Sequence, residues 1–110
     1  MRIIAGSAGG RHLRTLKGTN TRPTADRVKE AMFSILAPYI EDARVLDAFA
    51  GSGALGLEAL SRGARAAWFC EQSSLAAAVC SANIEACAFA NAFLRRGNLL
   101  TFLPQLRQKS

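Results

Sequence analysis

The sequence has little histidine, little proline and few acids, and each shortage closes off a class of chemistry. A single histidine, His12, and three cysteines, Cys70, Cys80 and Cys87, without a C-x-x-C step leave no ligand set for zinc, so no metal site is expected. Cys70 sits in a strand-like run and Cys80 and Cys87 share a helical stretch, which points to buried thiols in a reducing compartment and to a cytoplasmic protein. No apolar run approaches the ~20 residues a bilayer requires, and the N-terminus lacks a signal-peptide core. No membrane partner is expected.

Acids number 8 against 14 lysines and arginines, a formal charge of +6. The excess is concentrated early: Arg2, Arg11, Arg14, Lys17, Arg22, Arg27 and Lys29 are offset only by Asp26. Such a stretch suits an anionic partner such as nucleic acid, and serves equally as a solvated surface. The content of 50% hydrophobic and 20% charged residues over 110 positions describes one soluble globular domain.

What is present centres on Val45-Leu46-Asp47-Ala48-Phe49-Ala50-Gly51-Ser52-Gly53-Ala54-Leu55-Gly56, an apolar strand ending in an acid, then a glycine-rich turn, then a helix start. Glycines let the backbone turn sharply and approach a ligand, while the amides that open the helix face it. Gly51-x-Gly53-x-x-Gly56 alone is the dinucleotide pattern, and glycine-rich turns also occur as plain structure. Asp47 directs the choice. A pyrophosphate would meet a carboxylate at close range, whereas S-adenosylmethionine brings a sulfonium, an ammonium and a ribose and no phosphate. Ala66-Ala67-Trp68-Phe69-Cys70-Glu71 is a second apolar strand with an acid at its end. In a strand-helix-strand unit that position suits an acceptor for both ribose hydroxyls.

Around this unit, Arg2-Ile3-Ile4-Ala5 and Arg11-His12-Leu13-Arg14-Thr15 predict a hairpin with a flexible tip at Gly6-Ser7-Ala8-Gly9-Gly10. On a phosphate backbone it would be a positioning arm, and otherwise a small cap with solvated charges; His12 reads as a phosphate or surface contact rather than a base. A helix is expected over about residues 25–37, capped by Thr24, stopped by Pro38 and burying Val28, Met32, Ile35 and Leu36. Arg22, Thr24, Asp26 and Arg27 cluster at its start, where an anion or a cofactor carboxylate could sit, as could simple capping. Further elements are a strand from Ala43 to Phe49, a helix from Ala54 to Arg62 stopped by Gly63, and a helix over Ser73 to Ala90 with Ala76, Val79, Cys80, Ile84 and Cys87 inward. A third strand, Ala92 to Asn98, and an amphipathic segment from Leu99 to Lys109 follow. Asn98 could reach an adenine, though an asparagine beside glycine is commonly a turn residue.

On these residues the sequence closely resembles the RsmD family of small-subunit ribosomal RNA methyltransferases that act at guanine N2. Arg2-Ile3-Ile4-Ala5-Gly6, Gly10-Arg11-x-Leu13, Thr21-Arg22-Pro23-Thr24-x-Asp26-Arg27-Val28-Lys29-Glu30 and the Leu46–Gly56 stretch are similar to the family's segments in order and spacing. The resemblance implies an α/β, Rossmann-like class I methyltransferase doubly wound sheet, with a basic hairpin and connector over residues 1–20 and the N-terminal cofactor-binding part of the methyltransferase domain over 21–110. The cofactor implied is S-adenosylmethionine and the partner small-subunit ribosomal RNA, or the assembling 30S particle. The implied donor-binding set is Asp47, Phe49, Ala50, Gly51, Ser52, Gly53 and Gly56 at the turn, Glu71 and Gln72 at the ribose, Asn98 at the adenine, and Thr24. The implied RNA contacts are Arg2, Arg11, His12, Arg14, Arg22 and Arg27.

The family's Asp/Asn-Pro-Pro-aromatic acceptor motif is absent, since Pro23, Pro38 and Pro104 are never adjacent. No catalytic residue is therefore nominated, and the sheet is expected to be incomplete at its C-terminal end, with an open apolar edge suited to self-association. Two alternatives stand beside a methyltransferase: a truncated, inactive RNA-binding product, and an NAD-dependent oxidoreductase half, which Asp47 disfavours.

Overall fold

The computed structural model describes residues 2–15, 23–48 and 50–97, with side chains from residue 27 onward in the helix that begins at Pro23. The order is α1 (Pro23–Ile40), β1 (Arg44–Asp47), α2 (Ala54–Ser61), β2 (Ala66–Glu71), α3 (Ser74–Cys87) and β3 (Ala92–Arg96). The strands form one parallel sheet in the order β1-β2-β3, with Val45 opposite Ala67 and Ala67 opposite Ala92. Strand, helix, strand is what parallel pairing demands, because a tight hairpin cannot return a chain in the same direction.

Alternation along the strands sorts the two faces. Val45, Ala67, Phe69, Ala92 and Leu94 join the core cluster, together with Leu57 and Leu60 from α2 and Cys80 from α3. The next residues along, Leu46, Trp68 and Phe93, are opposite one another and face the other way; Trp68 stacks on Phe93 with ring centroids 5.5 Å apart. Leu46 and Phe93 are substantially exposed, and β1 is an edge strand among the described residues.

Gly63 ends α2 as expected. The Gly63 amide donates to the Leu60 carbonyl at 3.1 Å and the Ala64 amide to the Ala59 carbonyl at 3.0 Å, and Gly63 is left-handed at φ 104°. Ser73 caps α3 by accepting from the Ala76 amide at 3.2 Å.

Three sequence expectations need correction. First, α1 runs through Pro38 to Ile40. A proline this close to a helix end removes one hydrogen bond on an exposed turn, which the helix tolerates. Second, α1 does not bury the expected face. Val28, Ile35 and Leu36 are exposed, Met32 is partly buried, and the inward residues are Lys29, Phe33 and Ile40. The helix is rotated toward α2, where Arg62 stacks over the Phe33 ring at 5.0 Å and Lys29 meets a buried acid, Glu58, so polar contacts outweigh the apolar periodicity.

Third, the N-terminal hairpin is a single antiparallel bridge, Arg2 opposite His12, rather than a ladder. Its tip is packed, not free. The Ile4 and Ala5 amides donate to the Glu58 carboxylate at 2.9 and 3.1 Å, so they are not available to a strand partner. The Ser7 amide donates to the Ser61 carbonyl at 2.8 Å and the Ala8 amide to Ser61 Oγ at 2.9 Å. A Cβ on Gly6 would come 1.8 Å from the Ser61 carbonyl oxygen, so only glycine permits this approach. Ile3 and Leu13 enter the core and seat the arm on α2. The expected segment from Leu99 to Lys109 lies outside the described residues.

Candidate donor site at the glycine turn

Asp47 ends β1 and Glu71 ends β2, so adjacent parallel strands deliver two carboxylates to the same end of the sheet. The turn between β1 and α2 is tied to both. Asp47 Oδ2 accepts from the Gly56 amide at 3.2 Å, and Glu71 Oε1 accepts from the Gly51 amide at 2.8 Å. Glu71 Oε2 accepts from the Ser73 amide at 2.8 Å. A carboxylate offers about four lone-pair sites, so Glu71 keeps roughly one on each oxygen after these bonds. It is held in place by the backbone and still able to accept two hydroxyls.

The glycines have separate physical reasons. Gly51 is left-handed at φ 54° and a Cβ there would meet nothing within 4 Å, which leaves the turn open on that side. At Gly56 a Cβ would lie 2.3 Å from the Phe69 ring, so its absence lets α2 lie close against β2. Gly53 caps α2 in a left-handed conformation with no side-chain hydrogen bond to the helix start. The Ala50 amide donates to the Cys70 carbonyl at 3.1 Å, fastening the turn to β2.

Neither Asp47 nor Glu71 is in a salt bridge among the described residues, where the ion pairs are Lys29–Glu58, Arg62–Glu58 and Arg65–Asp42. Burial pushes the Asp47 carboxyl above the usual carboxylate range; the Gly56 amide works against this shift and the charge of Glu71 adds to it. The site thus holds negative charge at a cost that a cation would relieve. Beneath it, the Cys80 thiol is fully buried and pushed up to about 12 by burial and by the charges of Asp47 and Glu71, which makes it inert.

Of the residues named from sequence, Asp47, Ala50, Gly51, Ser52, Gly53, Gly56 and Glu71 come together here. Gln72 follows Glu71 and is exposed; its carbonyl accepts from Arg96 at 3.3 Å. Arg2, Arg11, His12 and Arg14 lie together on the arm, all exposed, and Arg27 is exposed on α1. Phe49, Asn98, Arg22 and the Thr24 side chain lie outside the described residues. Among those residues no group of three or more His, Cys, Asp or Glu is placed to hold a metal, and no helix is long and apolar enough to cross a membrane.

Sequence reasoning missed Glu58 and Asn83, both fully buried polar side chains. Glu58 accepts from Ile4, Ala5 and Arg62 and lies 3.2 Å from Lys29 Nζ. Its one signal was a lone acid in an otherwise apolar helix. Asn83 bonds the arm and the turn, and nothing in the sequence of α3 distinguishes it from a surface asparagine.

The whole chain, residues 1–110, matches the model of the family described as Conserved hypothetical protein 95. The chain belongs to this family. It is 45% identical over 105 residues to Ribosomal RNA small subunit methyltransferase D of Escherichia coli K12, covering 96% of this chain and 53% of that protein. The solved structure of yhhF from Escherichia coli superposes with a TM-score of 0.81 at 42% identity, covering 94% of this chain and 55% of that one. A hypothetical protein of Thermus thermophilus gives a TM-score of 0.82 at 32% identity, covering 99% and 62%. The chain spans about half the length of the curated relatives it matches along most of its own length. The resemblance to the RsmD family is borne out, and the fold is that of class I methyltransferases: a parallel α/β sheet of Rossmann type.

Proposed function

We propose that this chain carries the donor-binding half of an S-adenosylmethionine-dependent methyltransferase that modifies guanine N2 in small-subunit ribosomal RNA. The observation that carries the reading is the pair of carboxylates, Asp47 and Glu71, that form no salt bridge among the described residues and are set around an open glycine turn. A pyrophosphate there would be repelled by Asp47, while a sulfonium and an ammonium would offset that residue's buried charge. The residues fit the donor: Glu71 has the free lone pairs for two ribose hydroxyls, and the turn from Ala50 to Gly53 offers backbone close to the ligand. The relatives, named as ribosomal RNA methyltransferases, support the acceptor.

When bound, the donor would supply an electrophilic methyl group to an attacking amine lone pair: the nitrogen–carbon bond forms as the carbon–sulfur bond breaks, the neutral thioether leaves, and the amine gives up one proton to solvent. The part of this chain in that step is to bind and orient. Asp47 would hold the positive end of the donor and Glu71 the ribose, and the amides of Gly51 and Gly56 keep both carboxylates aimed. The exposed arginines of the arm and Arg27 suit a phosphate backbone, whose contacts position the substrate without reading its sequence. A base that meets the donor must leave its stack, which favours a looped-out target.

The exposed arginines of the arm are equally compatible with a second reading, an RNA-binding product that holds donor without transferring its methyl. Incubating the chain with labelled S-adenosylmethionine and small-subunit particles, then mapping any label in the RNA by mass spectrometry, separates them. Label at guanine N2 supports the first. Donor bound without transfer supports the second, and label confined to another position refutes the guanine assignment.

A further inference from the structure

Asn83, on α3, is 2% exposed and uses its whole amide. Its Oδ1 accepts from the Arg14 amide at 2.8 Å, and its Nδ2 donates to the Arg14 carbonyl at 3.0 Å and to the Ser52 carbonyl at 2.8 Å. The orientation is fixed by chemistry, because two carbonyls require the NH2 side and one N–H requires the oxygen.

The partners lie 69 and 31 positions away in the chain. Arg14 belongs to the basic arm and its side chain is exposed; Ser52 lies inside the glycine turn, between Gly51 and Gly53. One planar group therefore bonds both backbone groups of the arm residue and a carbonyl of the turn. The amide plane is rigid, so displacing the Ser52 carbonyl tilts the amide and strains both bonds to Arg14. Glu58 also anchors the arm, through Ile4 and Ala5, but touches only α2 and α1 on its other side. Among the described residues, Asn83 is the side chain that bonds the arm and the turn together.

We infer that Asn83 is a positioning residue that couples the glycine turn to the basic arm, so that donor bound at the turn orders the arm that meets the RNA. This rests on the donor reading given above. Linkage makes the effect reciprocal: whatever fixes the arm tightens donor binding by the same factor.

The test is amide hydrogen exchange over residues 2–15 in the full chain, with and without saturating S-adenosylmethionine, for the wild type, Asn83→Ala and Asn83→Asp. Calorimetry on the same samples reports whether donor is bound. In the wild type, donor should slow exchange at the Arg14 amide about 5-fold or more, and more than it slows the amides of α1. In the variants donor should still bind while arm exchange becomes independent of it. Asn83→Asp keeps the acceptor for the Arg14 amide and removes both donated bonds, so it cuts the link to the turn while one of the two bonds to the arm remains. A wild-type arm unmoved by bound donor overturns the inference and leaves the donor reading standing. So do variants whose arm loosens but keeps its full donor response, because Asn83 is then only structural. A folded wild type that binds no donor removes the donor reading and this inference together. Where one variant does not fold, the other carries the comparison, and a wild-type arm unmoved by bound donor overturns the inference without either.

Discussion

Replacing Glu58 with glutamine removes one charge from a site where water cannot substitute for it. The Glu58 carboxylate is fully buried, lies 3.2 Å from Lys29 Nζ and 2.8 Å from Arg62 Nε, and accepts the Ile4 and Ala5 amides. Lys29 is itself 4% exposed and, among the described residues, keeps only the Arg2 carbonyl, at 2.6 Å, once the acid is gone. Breaking a buried pair by removing one partner costs about 3–5 kcal/mol, because the other charge stays buried. The glutamine NH2 must also face Lys29, Arg62 or a backbone amide, and a donor set against a donor leaves one of them unsatisfied. The terms overlap, so we expect a loss of about 4 kcal/mol from a domain whose total stability is on the order of 5–15 kcal/mol. With a slope of about 2 kcal/mol per molar urea, the unfolding midpoint falls by about 2 M.

Acid adds a second readout. Burial alone would push the Glu58 carboxyl up, but Arg62, the Ile4 and Ala5 amides and Lys29 outweigh it and hold the group below its ordinary 4.5. A depressed carboxyl contributes stability that is fully present above about pH 4.5 and is lost as pH falls through the folded value. Glu58→Gln should therefore flatten the acid limb of the stability profile. A midpoint shift equivalent to less than about 1 kcal/mol, or an unchanged acid limb, refutes the claim that this cluster fastens the arm to α2.

Asp47→Asn should part stability from binding. The raised Asp47 carboxyl contributes stability below about pH 3.8 that is lost as pH rises through its folded value, so at neutral pH the ionised group opposes folding. The variant should unfold at the same or higher urea yet bind S-adenosylmethionine at least about 10-fold more weakly, and a destabilised variant with normal binding contradicts this. Gly56→Ala should cost about 1–3 kcal/mol by overpacking Phe69 and be partly rescued by Phe69→Leu, measured by thermal melting. β1, an edge strand among the described residues, predicts concentration-dependent association, and a monodisperse monomer in sedimentation velocity at every concentration would count against it.

Much of the geometry of the candidate donor site was legible because its parts are local. The carboxylates at the ends of β1 and β2, the three glycines and the Gly63 stop follow from short-range backbone rules that hold whatever packs around them. The orientation of α1 was not legible. Apolar spacing nominated Val28, Ile35 and Leu36, but the helix turned to bring Lys29 to Glu58 and Phe33 under Arg62, contacts between residues about 30 positions apart. The hairpin failed as a ladder for the same reason, since Glu58 took the Ile4 and Ala5 amides of the expected strand and Ser61 held the tip. Asn83 is the extreme case: its meaning lies entirely in two distant backbone segments.

The central claim is that the Asp47–Glu71 turn takes a methyl donor. Calorimetric titration of S-adenosylmethionine into the folded chain, with NAD as control and Asp47→Ala as variant, tests it most directly. Saturable 1:1 binding of the methyl donor is expected, at least about 10-fold weaker in the variant, with no saturable heat from NAD. Saturable NAD binding, or no donor binding by a demonstrably folded chain, would contradict it.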